Sequence, residues 1–165
     1  MQKRGFEVVS DYQEQGIQLP VRATKQAAGY DFEAATDIVI PSAIKAILAK
    51  SDLAKLETFL KPTLVPTGIK AYMGDDEYLQ LASRSSNPIK RFLIMGNGIG
   101  IVDADYYNNT DNEGHIMFQF INFGLQDVTI KKGERIGQGI FLPFLKADGD
   151  VASAERTGGF GSSGK

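Results

Sequence analysis

The chain has 165 residues, a formal charge of −2 and a pI near 5.4. This length supports one domain with a core, and the charge gives no general attraction for nucleic acid. The absence of cysteine excludes disulfide bonds and thiol catalysis, and a single histidine leaves no zinc site of the usual Cys and His type. No apolar run approaches the roughly 18 residues of a membrane span, so we expect a single cytoplasmic domain that contacts neither membrane nor free nucleic acid.

The N-terminal third alternates short strands with turns. Residues 6–10, 17–21 and 36–40 carry the apolar and β-branched patterns that predict strands. Gly29 lies among small residues before the alternating run that contains Asp31, which favours a close approach of the backbone to another group. Asp31 fits the role of a structural hydrogen-bond acceptor equally well.

One segment is predicted to be helical. Residues 43–61 follow Pro41-Ser42 and repeat apolar side chains at helical spacing. Strand patterns then return at 63–65, 69–73 and 78–82, separated by turns rich in Gly, Pro and Asp. This spacing is typical of a β-sandwich or barrel, so the sequence predicts an all-β domain with one helical insertion.

A cation and two hydroxyls follow the third of these strands, at Arg84, Ser85 and Ser86. Such groups bind anions through charge-assisted hydrogen bonds. The alternative is a polar loop that caps a short helix over residues 87–91, and spacing alone favours this second interpretation.

Residues 96–107 place two carboxylates and two phenols after a short apolar strand, which predicts a binding site built on a β-hairpin. Alternation puts Ile99, Ile101 and Asp103 on one side of this strand. A carboxylate beside apolar side chains loses hydration and becomes a better proton acceptor. An ordinary tight turn uses the same residue types, so both interpretations stand at this stage.

Two further strands are predicted after a polar excursion, at 115–122 and 128–130. His115 is expected on the solvent side of the first and has no predicted role in chemistry, because no serine or second histidine motif accompanies it. Residues 133–143 predict a turn into a buried strand, where Gln138 is a lone amide between glycines. It is either a substrate contact or a satisfied core amide.

The C-terminal residues 151–165 are polar and rich in glycine, without an apolar pattern that could hold them against a core. A frayed terminus is one interpretation. A flap that closes over a nucleotide is the other, because arginine binds phosphate, phenylalanine stacks on bases and glycine amides approach oxygens.

Five segments in this order resemble the motifs of the trimeric, all-β dUTPase family: 27–32, 83–86, 96–106, 133–138 and 156–164. Each match alone is weak, but five collinear matches are strong. The resemblance runs from about residue 19 to the C-terminus. It implies a jelly-roll-like β-domain over 1–150, a homotrimer with active sites shared between subunits, and an arm over 151–165 that closes a neighbour's site.

The same resemblance implies hydrolysis of dUTP to dUMP and pyrophosphate, which limits uracil in DNA and supplies dUMP for thymidylate synthesis. Asp103 would activate the attacking water, and Tyr106 would pack under the deoxyribose. Asn97 would read the uracil edge, Ile101, Val102 and Met117 would offer backbone groups to the base pocket, and Gly100 would also contact the substrate. The phosphates would be bound by Arg84, Ser85, Ser86 and Gln138. The arm would contribute Arg156, Gly161 and Ser162 to the γ-phosphate and Phe160 to a stack on uracil.

The family uses Mg²⁺ held by the three phosphates and water, so no direct protein ligand is expected, and Asp31 would either act only through outer-shell water or hold the loop. The sequence departs from the family pattern in three places. Residues 107–113 replace a short turn, Arg156 precedes Phe160 by four residues instead of five, and the helical segment 43–61 exceeds the usual turn.

Two other functions compete with this interpretation. A dCTP deaminase on the same fold needs a catalytic glutamate on the strand after the nucleotide segment, and residues 116–122 contain none. A noncatalytic nucleotide-binding interaction module would keep the scaffold but lose the chemistry. A loss of catalytic activity is disfavoured because the side chains that the chemistry needs are present: Asp103, Arg84, Gln138 and Arg156.

Overall fold

The computed structural model describes residues 3–49 and 52–153. Within these ranges the chain forms eleven strands: β1 (Gly5–Val8), β2 (Tyr30–Glu33), β3 (Ile38–Ile40), β4 (Thr63–Pro66), β5 (Ile69–Tyr72), β6 (Glu77–Ser83), β7 (Leu93–Met95), β8 (Gly100–Asp103), β9 (Met117–Asn122), β10 (Val128–Ile130) and β11 (Arg135–Pro143). The same ranges contain three α-helices, α1 (Ala43–Leu48), α2 (Leu53–Leu60) and α3 (Ser86–Arg91), and two 3-10 helices, Ser10–Tyr12 and Ala104–Tyr106. No helix of the described ranges has the length and apolar character to cross a bilayer.

The strands form an all-β, jelly-roll-like sandwich. A four-stranded sheet has the order β2-β11-β6-β8, a three-stranded sheet has the order β4-β9-β7, and β1-β5 and β10-β3 form two further pairs. Every pairing is antiparallel. The predicted fold class is therefore confirmed. The strand predicted at residues 17–21 is wrong, because only an isolated bridge between Val21 and Asp31 forms there.

Aromatic rings fill the space between the sheets. The ring centroids of Phe32 and Phe118 lie 5.7 Å apart, and Phe118 stacks on Phe120 at 6.2 Å. All three are fully buried, which contributes about 1.5–3 kcal/mol for each side chain. A Cβ atom at Gly137 would lie 2.0 Å from Phe118 Cε1, so β11 carries glycine where the ring packs. Gln138, the next residue, consequently points to the opposite face.

The predicted helical segment contains α1 and α2. Ser42 occupies the N-cap of α1, where its hydroxyl accepts a hydrogen bond from the Lys45 N–H at 2.9 Å and donates to the Gly124 carbonyl. The carboxylate of Asp127 accepts from the Ser42 N–H and pairs with Lys45 Nζ, each at 3.0 Å. These contacts anchor the insertion to the loop between β9 and β10.

The hairpin predicted around Asp103 is wrong. β8 pairs with β6, whereas β7 pairs with β9 in the other sheet. Residues 96–99 therefore cross from one sheet to the other. Gly98 takes a φ of +70° in this crossing, and a Cβ at Gly96 would lie 2.6 Å from Pro62 Cγ. Alternation along one strand predicts which side chains share a face, but it does not identify the partner strand.

His115 is buried, contrary to the solvent-side position predicted for it. Its exposed fraction is 7%. Its Nε2 accepts a hydrogen bond from the Gly68 N–H at 2.9 Å, and its ring lies 5.1 Å from that of Tyr12. Burial lowers the pKa of His115 below its ordinary value of 6.5 because the charged imidazolium loses hydration.

We expect this burial to make the fold sensitive to mild acid. Below about pH 6.5 the unfolded chain binds a proton that the folded chain excludes, so the free energy of unfolding falls as the pH falls. One proton limits the slope to about 1.4 kcal/mol per pH unit. Urea unfolding at pH 7.5 and 5.5 measures the effect. The variant His115→Gln keeps an acceptor for Gly68 without titrating, and an equal pH slope in both proteins would refute the assignment.

Candidate active site

The outward face of the four-stranded sheet carries most of the predicted site. Leu79 in β6 is fully buried, so its neighbour Tyr78 faces outward, as does Ala82. The register places Asp103 opposite Tyr78 and Gln138 opposite Ala82. Because paired residues project to the same side of a sheet, Asp103 and Gln138 share this outward face.

Two arginines gather around a carboxylate at one end of the face. Asp31 Oδ2 lies 3.1 Å from Arg135 Nη1, and Asp31 Oδ1 lies 3.9 Å from Arg84 Nε. Arg84 Nη1 also donates to the Arg135 carbonyl at 3.3 Å. The register puts Gln138 directly opposite Asp31. We call Asp31, Arg84, Arg135 and Gln138 the arginine cluster, and its two guanidinium groups give it the chemistry of a phosphate site.

The amide of Gln138 is held in place by a glycine. A Cβ atom at Gly29 would lie 2.2 Å from Gln138 Oε1, so glycine at this position lets the amide keep its observed placement. Gln138 Nε2 donates to the Ser83 carbonyl at 3.4 Å. The amide is thus half-buried and oriented by the neighbouring strands, as the small-residue run before Asp31 suggested.

The serines predicted to bind phosphate lie where β6 leads into α3. Ser85 occupies the N-cap position and makes no side-chain capping hydrogen bond, so the helix forms without the predicted cap. The buried Asn87 holds this junction, because its Nδ2 donates to Ser83 Oγ at 3.1 Å and to the Ile136 carbonyl at 2.7 Å. Anion binding by Ser85 and Ser86 stays a prediction.

Asp103 ends β8 at the far end of the same face. It lies at the N-cap position of the 3-10 helix Ala104–Tyr106 and lines a cavity of about 520 Å³. Ile101 on the same face is 52% exposed, whereas Val102 on the other face is 6% exposed. The apolar row beside the carboxylate is therefore as predicted, but the fold of one chain leaves it uncovered.

Tyr106 follows Asp103 with its ring buried. Its hydroxyl donates to the His115 carbonyl at 3.0 Å and accepts from Asn112 Nδ2 at 2.8 Å. The loop over residues 107–113, longer than the family turn, folds back onto this tyrosine. These two hydrogen bonds fix the Tyr106 side chain at its hydroxyl end.

Asp103 and the arginine cluster are well separated within one chain. The pairs Asp103–Tyr78 and Gln138–Ala82 are four residues apart along β6, which corresponds to roughly 14 Å. β8 and β11 lie on either side of β6, which adds about 10 Å across the sheet. One chain therefore does not bring Asp103 to the arginine cluster.

Comparison with known proteins identifies the family. A family model for dUTPase matches residues 15–164. A deoxyuridine 5'-triphosphate nucleotidohydrolase of Lactococcus lactis subsp. lactis (strain IL1403) is 48% identical over 167 residues, which cover 99% of each chain. The chain belongs to the dUTPase family. A crystal structure of dUTPase from Streptococcus mutans matches 88% of this chain and 99% of its own, with 43% identity and a TM-score of 0.74.

A more distant structure shares the dUTPase fold. A mutant dUTPase from phage phi11 of S. aureus matches 94% of this chain and 98% of its own, with a TM-score of 0.65. Its sequence identity is only 15%, so the likeness concerns the fold alone. That mutant coordinates a structural Mg(II) ion.

The residues predicted to form the uracil pocket of this dUTPase come from both sheets. Asn97 lies exposed in the crossing segment, and Met117 begins β9. A Cβ at Gly100 would lie 3.1 Å from the Leu81 side chain, so this glycine has a packing role as well. The predicted arm residues lie outside the described part of the chain: Arg156, Phe160, Gly161 and Ser162.

The structure adds residues that the sequence did not single out. Arg135 belongs to the arginine cluster, whereas the sequence predicted no role for its side chain within the motif at 133–138. Lys146, Asp75 and Asp150 line the cavity beside Asp103. No sequence signal marked the Arg135 side chain, because its place in the cluster depends on the pairing of β11 with the strand of Asp31. Lys146 lies after the last strand, β11, in a segment whose sequence shows no recognisable motif.

The arginine cluster contains one carboxylate, that of Asp31. Within residues 3–49 and 52–153, no three His, Cys, Asp or Glu side chains gather in a geometry for a metal ion. Asp31 is engaged by Arg135. Mg²⁺ retains several waters and binds readily through phosphate oxygens, so its binding to a triphosphate does not require a protein cage.

Proposed function

We propose that this dUTPase hydrolyses dUTP to dUMP and pyrophosphate, which limits uracil incorporation into DNA and supplies dUMP for thymidylate synthesis. The observation that carries the proposal is the outward sheet face, on which the Asp103 carboxylate and the two guanidinium groups of the arginine cluster lie. The whole-length similarity to a named nucleotidohydrolase supports the same substrate.

In the proposed reaction, Asp103 orients a water molecule and accepts its proton. The water oxygen forms a bond to the α-phosphorus, the bond from that phosphorus to the bridging oxygen breaks, and pyrophosphate leaves. A positioned carboxylate contributes typically 10²–10⁴-fold to such a step. Arg84 and Arg135 bind phosphate oxygens, with Ser85 and Ser86 as hydroxyl donors.

We further propose a homotrimer in which Asp103 of one subunit faces the arginine cluster of its neighbour. The separation of these groups within a chain supports this assembly, because attack at the α-phosphorus needs them on one substrate. Ile101 on the same face is 52% exposed, and Ile140 is half-buried. A second copy would cover these apolar side chains. The arm over 151–165 closes the same site from a neighbour.

The base and sugar are selected at the Asp103 end of the site. The Tyr106 ring packs under the deoxyribose and leaves no space for a 2'-hydroxyl, and Asn97 reads the uracil edge. Ile101, Val102 and Met117 contribute backbone groups to the base pocket. Shape in such a pocket rejects the thymine methyl, which hydrogen bonding alone would not exclude.

Mg²⁺ is the proposed cofactor, bound by the three phosphates and water, where it neutralises charge on the phosphate oxygens. The chain's own contribution is to position the triphosphate through the arginine cluster. Asp31 acts by orienting Arg135 and through outer-shell water.

One assay tests the proposed function. Purified protein is incubated with Mg²⁺ and dUTP, dCTP or dTTP, while pyrophosphate and ammonia are followed. Pyrophosphate from dUTP alone is the expected result. Ammonia from dCTP would instead identify a deaminase, and neither product would identify a noncatalytic module.

A further inference from the structure

The loop over residues 107–114, here called the polar cage, forms hydrogen bonds to both the carbonyl and the hydroxyl of Tyr106. Asn109 is 7% exposed, and its Nδ2 donates to the Tyr106 carbonyl at 2.8 Å. Its Oδ1 accepts from the backbone N–H groups of Asp111 and Asn112, at 3.0 and 3.2 Å. Gly114 takes a φ of +82°, and a Cβ there would lie 2.5 Å from the Tyr106 carbonyl oxygen. The loop is therefore built against this one tyrosine.

Asn112 links the cage to the hydroxyl of Tyr106. Its Nδ2 donates to Tyr106 Oη at 2.8 Å. Its Oδ1 accepts from the Gly114 N–H at 3.1 Å and from Asn109 Nδ2 at 2.9 Å. Both ends of the amide are thus engaged, so the donor that reaches Tyr106 has a fixed direction. Together with the His115 carbonyl, it provides the hydroxyl with one donor and one acceptor partner.

We propose that Asn112 is a positioning residue that fixes the Tyr106 ring and thereby sets the preference for deoxyribose over ribose nucleotides. This inference rests on the proposed function, in which the ring packs under the sugar. A ring whose far end is held by two hydrogen bonds cannot tilt to admit an extra hydroxyl at C2'. A ring released at that end gains this freedom, since a terminal side-chain torsion is soft unless it is restrained.

The variant Asn112→Asp tests the inference with the least change of shape. The carboxylate keeps an acceptor for Gly114 and Asn109, but the Tyr106 hydroxyl then faces two acceptors, the carboxylate and the His115 carbonyl, and its single hydrogen can bond only one of them. Asn108→Asp is the matched control, because it introduces the same charge in the same loop. Asn108 Oδ1 accepts from Lys70 Nζ at 2.6 Å, a bond that a carboxylate retains.

The measurement is the ratio of kcat/KM for dUTP to kcat/KM for UTP. We expect Asn112→Asp to lower this ratio about three- to tenfold, the effect of one lost side-chain hydrogen bond, with a rise in UTP hydrolysis. Asn108→Asp should leave the ratio unchanged. Damage to the fold alone would lower both activities together and leave the ratio unaltered. Asn112→Ala provides a second variant if the aspartate does not fold.

A double-mutant cycle shows whether Asn112 acts through the hydroxyl. Tyr106→Phe removes that hydroxyl, so adding Asn112→Asp to it should not lower the ratio further. Additive effects, or an unchanged ratio in both Asn112 variants, would overturn this inference while leaving the proposed function intact. A wild-type protein that does not hydrolyse dUTP would overturn the proposed function and this inference with it.

Discussion

Replacing Asp103 with asparagine is expected to lower dUTP turnover by roughly 10²- to 10⁴-fold and to leave dUTP binding largely intact. The amide has the shape of the carboxylate but cannot accept the proton of the attacking water. The substitution should not harm the fold. Asp103 occupies the N-cap position of the 3-10 helix, where asparagine is equally favourable.

Pyrophosphate release measures turnover in this experiment, and titration with a nonhydrolysable dUTP analogue measures binding. Asp75→Asn is the matched control, because it removes one negative charge from the wall of the same cavity. If both variants lost activity equally, a general change of charge would explain the result. Full turnover by Asp103→Asn would show that another group activates the water.

The fold class could be predicted because local patterns determine it. In β8, Val102 lies in the core and Ile101 outside, as the alternation predicted. The pairing of β8 with β6 could not be predicted, because the two strands lie about twenty residues apart and nothing local selects between β6 and β7. The burial of His115 was missed for a similar reason. Its partner, the Gly68 N–H, belongs to a distant turn.

Asp103 and Arg84 could be singled out from residue type and motif, and their roles in the site stay predictions. The site could not be predicted where the role depends on a contact. Arg135 belongs to the arginine cluster because β11 pairs with β2, the strand of Asp31. Asn112 resembled any polar loop residue until its hydrogen bond to Tyr106 was known. The resemblance to the family motifs suggested a role for each residue, and the strand register shows which of these residues lie close together within one chain.

Mixing two inactive variants is expected to restore dUTP hydrolysis if the active site is shared between subunits. Asp103→Asn lacks the water-activating carboxylate, and Arg84→Ala lacks a phosphate ligand, so each homotrimer should be nearly inactive. After joint refolding at equal amounts, a site built from two chains has an intact Arg84 and an intact Asp103 in about a quarter of cases. The mixture should therefore regain about a quarter of the wild-type turnover per site.

A site built within one chain predicts no recovery, because neither variant contains both residues. The matched control mixes Asp103→Asn with the double variant Asp103→Asn/Arg84→Ala, which supplies no intact carboxylate and should stay inactive. Recovery in that control would mean that Asp103 is dispensable. A mixture no more active than the mean of its parents would instead require Asp103 and Arg84 to act from the same chain, although roughly 14 Å along β6 already separate Asp103 from the level of Gln138 in the arginine cluster. The experiment thus tests whether the neighbouring subunit brings Asp103 to the arginine cluster, from which it is separated within one chain.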